Sequence, residues 1–110
     1  MSTITTHVLD TALGRPATGV PVRLSRLEDG ESVVIATGGT DDDGRISKLT
    51  PTEIERGTYQ LWFDVATYAK ASNQEFFFPE VTVTFTVTDE RHYHVPLLLS
   101  PFAYSTYRGS

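Results

Sequence analysis

The run VTVTFTV at 81–87 constrains this chain more than any other stretch, because Val81, Val83, Phe85 and Val87 alternate with Thr82, Thr84 and Thr86. A two-residue period puts the apolar set on one face of an extended strand and the threonines on the other, which a helix of 3.6 residues per turn does not do. Val20, Val22 and Leu24 make a similar face, as do Tyr59, Leu61 and Phe63. Turn-rich clusters cut the chain between such runs: LGRPATG at 13–19, EDGE at 28–31, GGTDDDG at 38–44, ERG at 55–57 and SP at 100–101. Short strands at that spacing predict a sandwich or barrel.

One segment departs from the two-residue period. Asp64 is a good N-cap, and Val65, Tyr68, Ala69 and Ser72 recur at i, i+3, i+4 and i+7 before a turn at Asn73. This predicts a helix of about two turns that lies on a sheet without forming a second layer. Residues 1–110 are expected to form one domain, since a chain of 110 residues has room for a single core.

The stretch HYHVPLLLSP carries two faces of different character. Tyr93, Val95, Leu97 and Leu99 make a core face; His92, His94, Pro96, Leu98 and Ser100 make a mixed one, suited to lining a cavity or meeting a partner. The N-terminal strand splits the same way, with Ile4 and Val8 on one side and Thr5, His7 and Leu9 on the other. Pro96 has no N–H to donate, so its position must be one where a ladder bond is dispensable.

Composition narrows the function. A net charge of −5, from 14 acidic and 9 basic residues, with no basic stripe, argues against a nucleic-acid partner. No stretch approaches the ~18 apolar residues of a membrane span, and no leader-like segment opens the sequence, so a cytoplasmic location is expected. The chain has no cysteine, which removes disulfides, thiolate metal sites and thiol nucleophiles. It has no glycine-rich nucleotide loop and no G-x-S-x-G elbow, and no cofactor is expected.

Three histidines are left as candidates for proton chemistry near neutral pH: His7, His92 and His94. His92 and His94, two apart on one strand, project the same way, and with His7 they have the makings of a three-histidine zinc site. The alternative reading of each is a surface or hydrogen-bonded residue. Arg45 follows the acidic turn Asp41-Asp42-Asp43-Gly44, which has no Glu at the twelfth position for a calcium loop. Arg45 is either a surface ion-pair partner or a planar fork for an anionic or imide-like ligand. Asp10 reads as a turn or cap residue.

The opening THVLDTALGRPATGVPV, the DDDGR turn, FFFPEVTVTF and above all HYHVPLLLSPFAYSTYRGS resemble the 5-hydroxyisourate hydrolases, the transthyretin-related proteins of urate breakdown. The resemblance runs over nearly the whole chain, and the terminal YRGS is its most specific mark. It implies an all-β, transthyretin-like β-sandwich of two four-stranded sheets with one short α-helix. It also implies a homotetramer, a dimer of dimers around a central channel, that opens a ring of 5-hydroxyisourate to give 2-oxo-4-hydroxy-4-carboxy-5-ureidoimidazoline without a metal. The family's catalytic positions fall on His7, Arg45 and His94, and its terminal tetrapeptide, a substrate-binding element, on Tyr107, Arg108, Gly109 and Ser110. Transthyretin, on the same scaffold, bears Lys, Glu and Thr at the positions of His7, Arg45 and His94. On this reading His7 is the first candidate to deprotonate water and His94 to orient it or donate to the departing nitrogen, with exchange of those roles left open. Arg45 clamps the ring, Tyr107 and Ser110 close the pocket, and His92 belongs to the surface or a supporting shell. A carrier of apolar aromatics and a ligand-free structural sandwich are the competing functions.

Overall fold

The computed structural model describes residues 2–46, 49–50 and 53–109. Among these residues eight strands and one helix follow in order: β1 (Ile4–Asp10), β2 (Arg15–Pro16), β3 (Pro21–Glu28), β4 (Glu31–Gly39), β5 (Gly57–Phe63), α1 (Val65–Ala71), β6 (Val81–Val87), β7 (Tyr93–Leu99) and β8 (Tyr104–Thr106). They form two four-stranded sheets, β2-β1-β7-β8 and β4-β3-β5-β6. The alternating faces read from the sequence supply the core between them: Ile4, Val8, Tyr93, Val95, Leu97 and Leu99 from one sheet, Val22, Leu24, Tyr59, Leu61, Phe63 and Val81 from the other. Complete burial of a side chain such as Leu61 or Phe63 is worth about 1.5–3 kcal/mol.

The all-β sandwich with one short helix is therefore the observed architecture. Asp64 caps α1 as expected, its Oδ1 accepting from the Thr67 amide at 3.1 Å, and Asn73 leaves the helix at a φ of 56°. Two expectations are refined. Gly38 and Gly39 lie inside β4, opposite Val22 and Pro21, rather than in the turn. In β6 only Val81 and Val87 are buried; Val83 and Phe85 are half-buried because β6 is an edge strand with no neighbour on one side.

The pairing that positions the site is parallel. β1 and β7, far apart in sequence, lie side by side with Thr5 opposite His94 and His7 opposite Pro96. Strands so separated in sequence pair only after a large loop closes, so their register is held by burial of the alternate residues on both. The β7–β8 ladder stops at Leu97–Thr106, one residue short of Pro96, and the same register resumes at an isolated bridge between His94 and Gly109. Pro96 thus interrupts the ladder without shifting it, and the Thr106 hydroxyl donates to the Pro96 carbonyl at 2.7 Å.

Candidate active site

The mixed faces of β1 and β7 meet on the outside of one sheet, as their alternation requires. His7 and His94 are half-buried there, with ring centroids 6.5 Å apart and ring planes inclined by 38°. Thr5, Thr6, Asp41, Arg45, Ile46, His92 and His94 line a concavity of about 500 Å³.

The acidic turn delivers Arg45 to this place. Asp41 closes the turn on itself: its Oδ1 accepts from the amides of Asp43 (2.9 Å) and Arg45 (3.0 Å), and its carbonyl accepts from the Gly44 amide at 2.9 Å. The turn docks on β1 through the Val8 amide, which donates to the Gly44 carbonyl at 2.8 Å, and through a bridge between Arg45 and His7. Gly44 has a φ of +75°, and a Cβ there would lie 2.3 Å from the Val8 carbonyl oxygen. Only glycine lets the turn come this close. The acidic run is accordingly a structural hinge that carries an exposed cation to the side of His7.

His94 is held by its neighbours on three sides. Thr5 Oγ1 lies 2.8 Å from Nδ1, the Gly109 amide donates to the His94 carbonyl at 2.8 Å, and Gly109 packs against the ring. Burial pushes the imidazole below its ordinary value of 6.5, and electrostatic interaction with His7, His92 and Arg45 pushes the same way. Both effects favour the neutral ring. With Nδ1 engaged, Nε2 is the nitrogen left for a reactant.

His92, assigned from sequence to the surface or a supporting shell, is bonded at both ring nitrogens. Nδ1 lies 2.6 Å from Thr3 Oγ1 and Nε2 lies 2.8 Å from Thr5 Oγ1. These bonds oppose the zinc reading, and no three metal-donor side chains converge among the described residues. Of the terminal tetrapeptide, Gly109 reaches the site. Tyr107 and Arg108 border a different concavity, with Val83, Phe85 and Val95, and the Arg108 guanidinium lies 4.3 Å from the centroid of the Tyr93 ring. Successive residues of an extended segment point to opposite faces, so with Gly109 opposite His94, Arg108 turns to the Tyr93 side. Ser110 lies outside the described residues.

Asp10, read from sequence as a turn or cap residue, does cap the turn through the Leu13 amide, but sequence reasoning missed its tie to Tyr68 and Gln74. Its buried carboxylate accepts from the Tyr68 hydroxyl at 2.5 Å, from Gln74 Nε2 at 2.8 Å and from the Leu13 amide at 2.9 Å, and so ties the end of β1 to α1. The available signal was an acid at the buried phase of an alternating strand, in line with Ile4 and Val8.

A model of the HIUase/Transthyretin family matches residues 4–109. This chain belongs to the HIUase/Transthyretin family. Within it, the 5-hydroxyisourate hydrolase of Mus musculus is 53% identical, over 99% of this chain and 96% of that protein. Klebsiella pneumoniae 5-hydroxyisourate hydrolase superposes with a TM-score of 0.88 at 36% identity, covering 100% of both chains. Sea bream transthyretin in complex with thyroxine superposes with a TM-score of 0.92, also at 36% identity, over 96% of this chain and 93% of that one. HIUase/Transthyretin members of different activity thus match the backbone equally well, and function has to be argued from side chains.

Proposed function

We infer that this chain is a hydrolase that opens a ring of 5-hydroxyisourate in purine catabolism, with His7, Arg45 and His94 as its catalytic groups. The observation that carries the reading is convergence: the His94 ring and Arg45 line one concavity, the His7 ring stands 6.5 Å from that of His94, and the backbone of Arg45 pairs with that of His7. Curated relatives of high identity carry that activity in their names, from mouse to Halalkalibacterium halodurans.

The chemistry is addition of water to a ring carbonyl followed by cleavage of the carbon–nitrogen bond. A neutral imidazole with an unoccupied nitrogen suits proton abstraction, which favours His94 Nε2 as the base. His7, on the far side of the same gap, holds the water or protonates the departing nitrogen. Arg45 stabilises the negative charge that develops on the carbonyl oxygen, a preorganised contribution whose loss typically costs about 2.7–4 kcal/mol of barrier. Gly109 supports the His94 ring; Tyr107 and Ser110 are assigned to closing the pocket in the assembled enzyme, whereas Arg108 turns away to the Tyr93 ring.

The assembly we propose is a homotetramer, a dimer of dimers, in which residues 1–110 act as one domain. It is supported by the mixed face of β1 and β7, and by exposed Leu13, Phe77, Phe102 and Tyr104. A cytoplasmic location is part of the same proposal, and a chain without cysteine has no disulfide that would require an oxidising compartment. Among the described residues no helix is long and apolar enough to cross a membrane.

The test is the ultraviolet decay of freshly made 5-hydroxyisourate with and without the protein, alongside thyroxine titration. Acceleration of decay without tight thyroxine binding supports the hydrolase. Decay at the uncatalysed rate overturns it.

A further inference from the structure

The parallel register of β1 and β7 sets Thr3, His92, Thr5 and His94 in a zigzag on one face. Thr3 Oγ1 bonds His92 Nδ1 (2.6 Å), His92 Nε2 bonds Thr5 Oγ1 (2.8 Å), and Thr5 Oγ1 bonds His94 Nδ1 (2.8 Å). From these three bonds we propose that Thr5 and His92 form a proton relay that fixes the tautomer of His94 and carries a proton from the reaction cavity to the exposed His92 ring. The inference rests on His94 as the base, as argued above.

A hydroxyl has one proton and two lone pairs, so Thr5 cannot donate to both imidazoles. At least one of the two nitrogens facing it is therefore protonated. In the arrangement that leaves His94 Nε2 free to act as a base, His94 Nδ1–H donates to Thr5, the Thr5 hydroxyl donates to His92 Nε2, and His92 Nδ1–H donates to Thr3.

Hydrolysis of a cyclic amide at neutral pH releases a proton: of the two hydrogens of water, one ends on the ring nitrogen and the other is lost as the carboxyl ionises. The relay gives that second proton a way out. When His94 Nε2 takes a proton from water, the Nδ1 proton passes to Thr5 Oγ1 as the Thr5 hydroxyl proton passes to His92 Nε2. His94 ends neutral with its proton on Nε2, Thr5 holds the former Nδ1 proton, and His92 becomes the imidazolium; proton exchange with solvent at both ends of the chain after product leaves restores the starting tautomers. The direction is set by position: His94 is half-buried beside Arg45 and disfavours a charge, whereas His92 is exposed to solvent that can receive the proton. Thr5 is a positioning residue on this view, and His92 a proton acceptor outside the cavity.

The experiment compares Thr5→Val, Thr5→Ser, His92→Gln and His94→Ala in the assembled enzyme with 5-hydroxyisourate as substrate. Thr5→Val keeps the shape and branching of the side chain but removes the hydroxyl that orients the base, and is expected to lower kcat about tenfold with little change in KM. Thr5→Ser should restore kcat to near the parent value. His92→Gln should be slow in dilute buffer and be rescued by added imidazole, which takes the proton in its place. Full activity in Thr5→Val, a Thr5→Ser variant as slow as Thr5→Val, or indifference of His92→Gln to buffer overturns the relay. An active His94→Ala variant overturns instead the assignment of the base; an inactive one beside a fully active Thr5→Val removes the relay alone.

Discussion

Gly109 donates its amide to the carbonyl of His94 at 2.8 Å, and its α-carbon stands so close to the imidazole that a Cβ would lie 2.6 Å from Cδ2. The YRGS segment therefore acts on the candidate base from behind, through backbone and absence of a side chain. Gly109→Ala should force the His94 ring to turn. Small misplacements of a reacting group cost on the order of a hundredfold in rate. Turnover should fall accordingly while the melting temperature stays near that of the parent, which steady-state kinetics and a thermal melt will check together.

The catalytic assignment predicts a graded pattern of losses. His7→Ala and His94→Ala should each slow turnover by about a hundredfold or more. Arg45→Ala should cost about 10²–10³ in kcat. Arg45→Lys should recover little, since an ammonium lacks the planar fork that fits a ring carbonyl. Rates close to the parent in all of these variants would contradict the site.

The pH profile follows from His94. Its imidazole is held below 6.5 by burial and by His7, His92 and Arg45, and the base must be neutral to act. Activity should thus be lost only as pH falls through that depressed value, so the acid limb of kcat/KM should lie below 6.5. Replacing His7 with Gln removes one of the groups that hold His94 down and should move the His94 titration, followed by NMR, upward. An acid limb at or above 6.5 in the parent enzyme would contradict the assignment.

Stability against acid should depend on Asp10. Burial raises its carboxyl, but the bonds from Tyr68, Leu13, Gln74 and Ala12 outweigh burial and hold it below the ordinary value. Tyr68, buried and donating to that carboxylate, is pushed up to about 12 and stays protonated. A carboxyl lowered on folding stabilises the protein above its unfolded value and ceases to do so as pH falls through the folded one. Tyr68→Phe should therefore destabilise by about 1–3 kcal/mol at neutral pH and by clearly less near pH 3. Denaturant melts at the two pH values will show whether the difference has that sign.

How much of this was legible beforehand differs between the fold and the site. The alternating runs at 20–24, 59–63, 81–87 and 93–99 announced strands because burial of one face imposes a two-residue period, and Asp64 announced the helix. The two short strands β2 and β8 carry no such period; β8 is exposed throughout and is defined by its pairing with β7. His7 and His94 were placed on mixed faces correctly, but which faces meet depends on parallel pairing, and no local pattern encodes that. The relay through Thr5 and His92 was invisible for the same reason: Thr5 is an ordinary strand residue until His92 and His94 are set beside it. Asp10 was underrated because an acid next to a turn ordinarily finds water, whereas here Tyr68 and Gln74 cover it.

The β1–β7 pairing also has a consequence for how the protein is made. Thr5 and His94 are 89 residues apart in sequence yet share a hydrogen bond. On the ribosome, β1 emerges long before its partner exists and must wait with one edge bare. No nascent fragment short of β7 holds both imidazoles, so catalytic competence arrives in a single late step. Damage that shortens the message yields inert polypeptide instead of an enzyme with impaired discrimination.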